Sequence, residues 1–186
     1  LAKAQLTTPE AKADLLTSVG QAYLMQGKEE LAADAYAAAS IAQPGYGPAL
    51  LGEARLKATR GDFAGASALL DTAIEKQPGL YEAWQLKGEL FIAQGDRAAA
   101  LAAYRKAVEI KPDYLAAHAA IVRNLLAENK LDEAGKEIEA IKQFAPNHPQ
   151  TQLLRASLLY QQKDYRAARD AILLHLKVLP ESPLGL

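Results

Sequence analysis

The sequence of 186 residues contains no cysteine, one methionine, one tryptophan and only 6% aromatic residues. Without cysteine there can be no disulfide, no thiol catalysis and no thiolate metal site, and the redox compartment stays open. The scarcity of aromatic residues argues against a β-sandwich or a β-barrel. Alanine instead accounts for 39 residues, and this composition favours helices whose backbones pack closely.

The chain also lacks an excess of charge and a long apolar run. Lysine and arginine number 21 and aspartate and glutamate 22, so the formal net charge is -1. We therefore expect no nucleic-acid partner. The longest uncharged stretch, residues 35–52, is interrupted by two prolines and two glycines, so we expect no membrane-spanning helix of about 20 residues. The sequence opens without an initiator methionine or an apolar leader, and we expect a piece of a longer protein.

A spacing of 34 residues recurs throughout the chain. It separates five prolines, namely Pro44, Pro78, Pro112, Pro146 and Pro180. Twelve residues before each proline lies an alanine: Ala32, Ala66, Ala100, Ala134 and Ala168. Eight residues before each proline lies a bulky residue: Tyr36, Leu70, Tyr104, Ile138 and Ile172. Five periods without an insertion predict an array of identical structural units.

Each unit has the pattern of two helices. Residues 83–93 are good helix formers with apolar side chains three and four apart. Gly95 suits a left-handed turn after this helix, and Asp96 can cap the next one. Pro112 disfavours helical geometry in the residue before it and ends the unit.

This pattern resembles the tetratricopeptide repeat over residues 13–182. The third unit matches the family pattern best, through Trp84, Gly88, Phe91, Gly95, Ala100, Tyr104, Ala107 and Pro112. The resemblance implies an all-α fold, a right-handed α-solenoid of five consecutive repeats in a single domain over residues 1–186. The repeats would cover 13–46, 47–80, 81–114, 115–148 and 149–182, with partial flanking repeats at 1–12 and 183–186.

Catalytic and metal-binding motifs are missing. We find no glycine-flanked serine elbow, no paired-histidine zinc motif and no phosphate-binding loop. The histidines, His118, His148 and His175, have no convergent ligands in the sequence pattern, and we expect them to be structural. Carboxylates such as Glu137 and Glu139 are assigned to solvated outer faces. We therefore expect a protein that is not an enzyme and that holds no cofactor and no metal.

The resemblance also implies a concave groove lined by the first helix of each repeat, where a protein or peptide partner binds. The candidate groove residues are Gln21, Arg55, Gln85, Glu89, Arg123 and Tyr160. Two interpretations of the charged positions stay open. Arg55 and Arg123 neutralise Glu89 between them, or the arginines remain available to an extended peptide with acidic side chains.

The ends of the array suggest self-association. A solenoid end normally carries a polar outer face. The last predicted helix, residues 170–179, is instead rich in isoleucine, leucine and valine. We expect part of this face to be exposed and to mediate contacts between copies of the chain.

Three segments resemble a narrower family. Residues 82–90, 103–107 and 161–172 are similar to the tetratricopeptide lipoproteins that accompany exosortase/PEP-CTERM sorting systems, the PrsT family. This resemblance implies a protein of the bacterial periplasm or outer membrane, associated with protein sorting and exopolysaccharide. The alternative function is a self-assembling structural scaffold of an exopolysaccharide export apparatus.

Overall fold

The computed structural model describes residues 8–178, with the backbone alone for 174–178. All regular structure in this range is helical, which confirms the predicted all-α, α-solenoid fold class. The helices are α1 Pro9–Met25, α2 Glu29–Ala42, α3 Gly47–Thr59, α4 Phe63–Lys76, α5 Tyr81–Ala93, α6 Arg97–Ile110, α7 Leu115–Ala127, α8 Leu131–Phe144, α9 Pro149–Gln161 and α10 Tyr165–Val178. Within the described residues, no helix is long and apolar enough to cross a membrane.

The 34-residue spacing fixes the turn inside each helix pair. One residue with a left-handed backbone follows the first helix of every pair, with φ between 58° and 83°. Glycine fills this position three times, because it adopts positive φ without steric cost. The residues are Gly27, Gly61, Gly95, Asn129 and Lys163. The next helix is capped in two places by a carboxylate, since Asp62 accepts a hydrogen bond from the Gly65 amide and Asp164 from the Ala167 amide.

The chain forms two compact units that divide between Asp96 and Arg97. In the first unit, α1 packs on α2, α3 on α4, and each second helix on the first helix of the following pair. Its largest core cluster centres on Ala54, Ala66 and Leu70, none of which is exposed to solvent. In the second unit, α7 packs on α8 and α9 on α10, with α6 against α7 and α8 against α9.

Tyr36 of α2 lies between two glycines of neighbouring first helices. A Cβ atom added at Gly52 of α3 would fall 2.4, 2.5 and 2.6 Å from three ring carbons of Tyr36. One added at Gly20 of α1 would fall 2.7 to 3.0 Å from the same ring. Both distances are far below van der Waals contact, so the aromatic ring fits only because both helices have glycine there.

In the second unit, Glu137 does not lie on a solvated face as the sequence pattern suggested. Its carboxylate is 2.5 Å from Nδ1 of the buried His118, while Nε2 of His118 is 2.9 Å from the carbonyl oxygen of Pro112. A carbonyl oxygen can only accept a hydrogen bond, and a carboxylate accepts as well, so the imidazolium form, with an N–H on each ring nitrogen, is the one that donates to both partners. Burial lowers the pKa of His118, but the hydrogen bond and charge of Glu137 and the Pro112 carbonyl outweigh it, and the pKa is raised.

The other histidine with a described side chain, His148, lies at the start of α9. His148 Nδ1 accepts a hydrogen bond from the Gln150 amide and caps α9. The side chain of His175 lies outside the described residues, as do those of 174–178 and all of residues 1–7 and 179–186. Of the apolar face predicted for the last helix, Ile172 is partly buried and Leu173 is 49% exposed. No group of three or more potential metal ligands is found in the part of the chain that the structure describes.

Candidate functional site

A cavity of about 680 Å³ lies in the first unit, on the surface formed by first helices. Helices α1 and α3 supply most of its wall, α2 contributes an aromatic ring and α5 one carboxylate. The lining residues are Thr17, Gln21, Leu24, Met25, Tyr36, Pro48, Leu51, Gly52, Arg55 and Glu82. We call this cavity the Arg55 cavity.

The guanidinium of Arg55 is exposed and unpaired. Within the described part of the chain, no carboxylate lies within 4.0 Å of its nitrogen atoms. Arg60, five residues further along, shows the contrast: its Nη2 donates to Glu30 at 2.7 Å and its Nε lies 3.7 Å from Glu29. An arginine beside apolar surface and without a carboxylate partner is available to a carboxylate on a ligand.

Two hydroxyl groups accompany Arg55 in the wall. Burial raises the pKa of Tyr36, and the positive charge of Arg55 partly opposes this shift. Thr17 Oγ1 is buried and has no hydrogen-bond partner among the described residues. A buried polar atom without a partner is costly, and a ligand that supplies one would recover that cost.

Apolar side chains surround these polar groups. Leu24, Pro48 and Leu51 are partly buried, and Met25 is 85% exposed. Methionine is flexible and polarisable, and it is common at surfaces that accept varied apolar side chains. The cavity can therefore hold an aliphatic or aromatic side chain next to a carboxylate.

The other two groove candidates of the first unit pair with each other. Gln85 Nε2 donates to Glu89 at 3.0 Å, both on α5. Gln85 is buried and its Oε1 has no partner among the described residues, whereas Glu89 is exposed. Neither lines the Arg55 cavity, although Glu82 of the same helix does. Arg55 and Glu89 make no ion pair within 4.0 Å in the described residues, so this half of the self-neutralising interpretation is not formed.

The last two candidates lie in the second unit. Arg123 of α7 is exposed. Tyr160 of α9 is 65% exposed, and its ring contacts that of Tyr165 with centroids 5.3 Å apart. Tyr160 lines a cavity of about 280 Å³, and Arg123 does not; the other lining residues are Leu153, Ala156, Ser157, Ala168 and Ile172.

The sequence pattern missed Tyr36 as a member of the site. It identifies Tyr36 only as one of the bulky residues that recur eight positions before each proline. Tyr36 is buried, yet its ring also forms part of the cavity wall. The signal available in the sequence was the glycine on each neighbouring first helix, Gly20 and Gly52. Where both helices lack a side chain, there is room for the side chain of another helix to lie between them.

Family models and solved structures show which known proteins share this architecture. Two family models described as tetratricopeptide repeat match residues 51–114 and 91–158, together more than half of the chain. The structure of pilF from Pseudomonas aeruginosa has a TM-score of 0.79 at 20% identity, covering 91% of this chain and 77% of that one. YrrB, described as a TPR protein with an unusual peptide-binding site, has a TM-score of 0.61 at 16% identity, covering 89% and 86%.

Matches to curated proteins are weaker in identity and partial in length. Protein O-mannosyl-transferase TMTC1 from Homo sapiens is 24% identical over 177 residues, which cover 93% of this chain and 20% of that protein. The chain spans about a fifth of the length of the curated relatives it matches. The helix pairs, the residue with positive φ every 34 positions and the family matches agree with one another. The chain belongs to the tetratricopeptide repeat family.

Proposed function

We propose that this protein is a non-enzymatic scaffold that binds a protein partner through an extended peptide segment in the Arg55 cavity. Proteins of this family are generally non-catalytic scaffolds, and the fold suggests protein–protein interaction. The observation that supports the cavity is the exposed guanidinium of Arg55, which has no carboxylate partner among the described residues and lies beside apolar side chains. Gln21 lines the same cavity, Gln85 and Glu89 lie on the next first helix of the first unit, and Arg123 and Tyr160 are the groove candidates of the second unit.

The chemistry of the wall defines the peptide. Arg55 binds an acidic side chain, and a pair with both ionic and hydrogen-bond character has directional preference. Thr17 and Tyr36 form part of the wall against which the peptide lies. Leu24, Met25 and Leu51 receive an apolar side chain next to the acidic one. The peptide-binding site in the description of YrrB is consistent with this use of the fold.

Replacing Arg55 with glutamine is expected to weaken peptide binding at least tenfold, which corresponds to about 1.4 kcal/mol. The probe is a fluorescein-labelled peptide selected by phage display on the wild-type chain, and fluorescence anisotropy measures its dissociation constant. We expect the selected peptides to carry Asp or Glu next to Leu, Ile, Met or Phe. The dissociation constant should lie near about 1 μM, or roughly -8 kcal/mol.

The matched control is Arg60→Gln. It removes the same charge from the other end of α3, where the arginine already binds Glu29 and Glu30. We expect its peptide affinity to stay within about twofold of wild type, because exposed ion pairs contribute little. Equal weakening by both substitutions, or selected peptides without acidic residues, would remove the Arg55 cavity from the proposal.

Three further possibilities have less support. The transferase activity in the name of TMTC1 is not proposed here, because the match covers only a fifth of that protein. The PrsT resemblance, with its envelope, sorting and exopolysaccharide setting, stays a prediction, and none of the relatives named above is described as part of such a system. The alternative of a self-assembling scaffold is favoured by one observation, the exposed apolar surface at α1 and α10.

A further inference from the structure

The first helices after α1 share one buried face. The third residue of each of these helices is buried against the second helix of the preceding pair, as Ala49 is against Ala39 and Ala83 against Ala73. The four residues at this position are at most 1% exposed: Ala49, Ala83, Ala117 and Thr151. Leu15 of α1, 34 residues before Ala49, is 49% exposed. The same position therefore carries a large apolar side chain on α1, where no described helix covers it.

Val19 and Ala22 continue this face along α1. The counterparts of Val19 in the next two first helices are Glu53 and Lys87, and both bind the preceding second helix. Glu53 accepts a hydrogen bond from Ser40 at 2.6 Å, and Lys87 pairs with Asp71. The counterparts of Ala22 are all buried: Leu56, Leu90, Asn124 and Leu158. Val19 and Ala22 are instead exposed. We call Leu15, Val19 and Ala22 the head stripe.

The start of α1 differs from that of the later first helices. The 34-residue register places its first residue at 13, but α1 begins at Pro9, and the Thr8 side chain caps it by accepting from the Ala11 amide. The position that holds proline in the later turns is Glu10, inside the helix. At this register, the proline of the later turns therefore has no counterpart in the described start of α1.

The last described helix carries a complementary surface. Ile172 of α10 is only partly buried, whereas its counterparts are at most 4% exposed: Tyr36, Leu70, Tyr104 and Ile138. Next to it, Leu173 is exposed at the position of Asp71, the residue that binds Lys87 of the following first helix. Ile172 also lines the 280 Å³ cavity. We call Ile172 and Leu173, with this cavity, the tail surface.

We propose that copies of this chain bind head to tail, the head stripe of one copy packing on the tail surface of another. The repeat register supplies the reason for a second copy as the occupant. In the 34-residue register, Val19 corresponds to Lys87 and Leu173 corresponds to Asp71. The ion pair between Lys87 and Asp71 inside the array therefore corresponds to an apolar pair, Val19 and Leu173, between two copies. Apolar side chains exposed at both registers are stabilised by burying each other. Because the two surfaces differ, the contact is heterologous and can propagate beyond a dimer.

Two single substitutions test the direction of the contact. Leu15→Glu removes the head and Leu173→Glu removes the tail, each at an exposed site, and far-UV circular dichroism verifies the helical content. Sedimentation velocity of the wild-type chain should show a mass that rises with concentration past the dimer. Each variant alone should be monomeric, with association weakened at least tenfold. A mixture of the two should form a 1:1 dimer and nothing larger, because one intact head meets one intact tail.

The matched control is Ile41→Glu on α2. Ile41 is an exposed apolar residue whose counterparts Glu75, Glu109 and Gln143 are all exposed, and the substitution adds the same charge. We expect its association to equal that of wild type. A wild-type chain that stays monomeric would overturn the proposal. So would a head-to-head contact, in which Leu173→Glu associates normally, and so would equal weakening by Ile41→Glu.

Discussion

Gly52→Ala is expected to lower the free energy of unfolding by about 1–3 kcal/mol. The same change in an unobstructed helix interior raises it by about 0.5–1 kcal/mol, because alanine has less conformational freedom to lose. At Gly52 the new Cβ would lie 2.4 to 2.6 Å from carbons of the Tyr36 ring. The ring also lies close to α1, where a Cβ atom added at Gly20 would fall 2.7 to 3.0 Å from it, so it has little room to shift in that direction. Urea unfolding monitored by fluorescence of Trp84, in the same unit, measures the change.

Gly135→Ala is the matched control, because Gly135 is also inside a helix. Its added Cβ would meet only Leu158 Cδ2 at 3.6 Å, an ordinary contact. We expect this variant to be more stable than wild type, by about 0.5–1 kcal/mol, when unfolding is followed by far-UV circular dichroism. A double-mutant cycle isolates the clash: in a Tyr36→Ala background, Gly52→Ala should no longer destabilise. Destabilisation that persists there would mean that Tyr36 is not its cause.

The helices could be predicted from the sequence because each repeat contains the residues that end one helix and begin the next. Gly61 precedes Asp62, which caps the next helix, and the backbone of both Gly61 and Gly95 has positive φ. Asn129 and Lys163 adopt the same backbone without glycine, so the register decides the turn even where the residue type is unfavourable. The early start of α1 could not be predicted in this way. It depends on a local signal, Thr8 followed by Pro9, which lies outside the 34-residue pattern.

The candidate site was predictable in part. The register places Gln21 and Arg55 on adjacent first helices, and both line the same cavity. The register also put Gln85 and Glu89 in the groove, but they hydrogen-bond to each other and neither lines this cavity. Such pairing depends on side-chain conformations that helical spacing does not specify. The role of Tyr36 was missed for a similar reason, since burial and exposure to a cavity can belong to opposite ends of one long side chain.

His118 shows how one substitution changes its surroundings. It occupies the register of Trp84, where a ring with one N–H group is replaced by a ring with two nitrogens. The second helix of the same repeat supplies the acceptor for one nitrogen, Glu137, and the turn before α7 supplies the other, Pro112. Helical periodicity alone assigns Glu137 to solvent. The buried donor in front of it is what draws the carboxylate inward.

The His118 contacts make stability fall as pH rises above neutrality. The folded-state pKa of His118 is above 6.5, and the unfolded value is about 6.5. The contribution is therefore complete below about pH 6.5 and disappears as pH rises through the raised pKa. Neutral His118 has one N–H for two acceptors, so one contact is lost. Urea unfolding between about pH 5.5 and pH 9 should show this decline, and nuclear magnetic resonance titration of the ring reports the pKa directly.

Glu137→Gln separates this pair from other titrating groups. The amide keeps the shape of the side chain but removes the charge, and we expect a loss of about 1.5–3 kcal/mol near pH 6, where His118 is charged. Above the raised pKa of His118 the wild-type imidazole is neutral, so the gap between variant and wild type should narrow at high pH. His148→Gln is the control for removing an exposed histidine, and stability should still decline as pH rises through the raised pKa of His118. A gap of equal size at both pH values would show that Glu137 stabilises the fold by packing and not through the charge of His118.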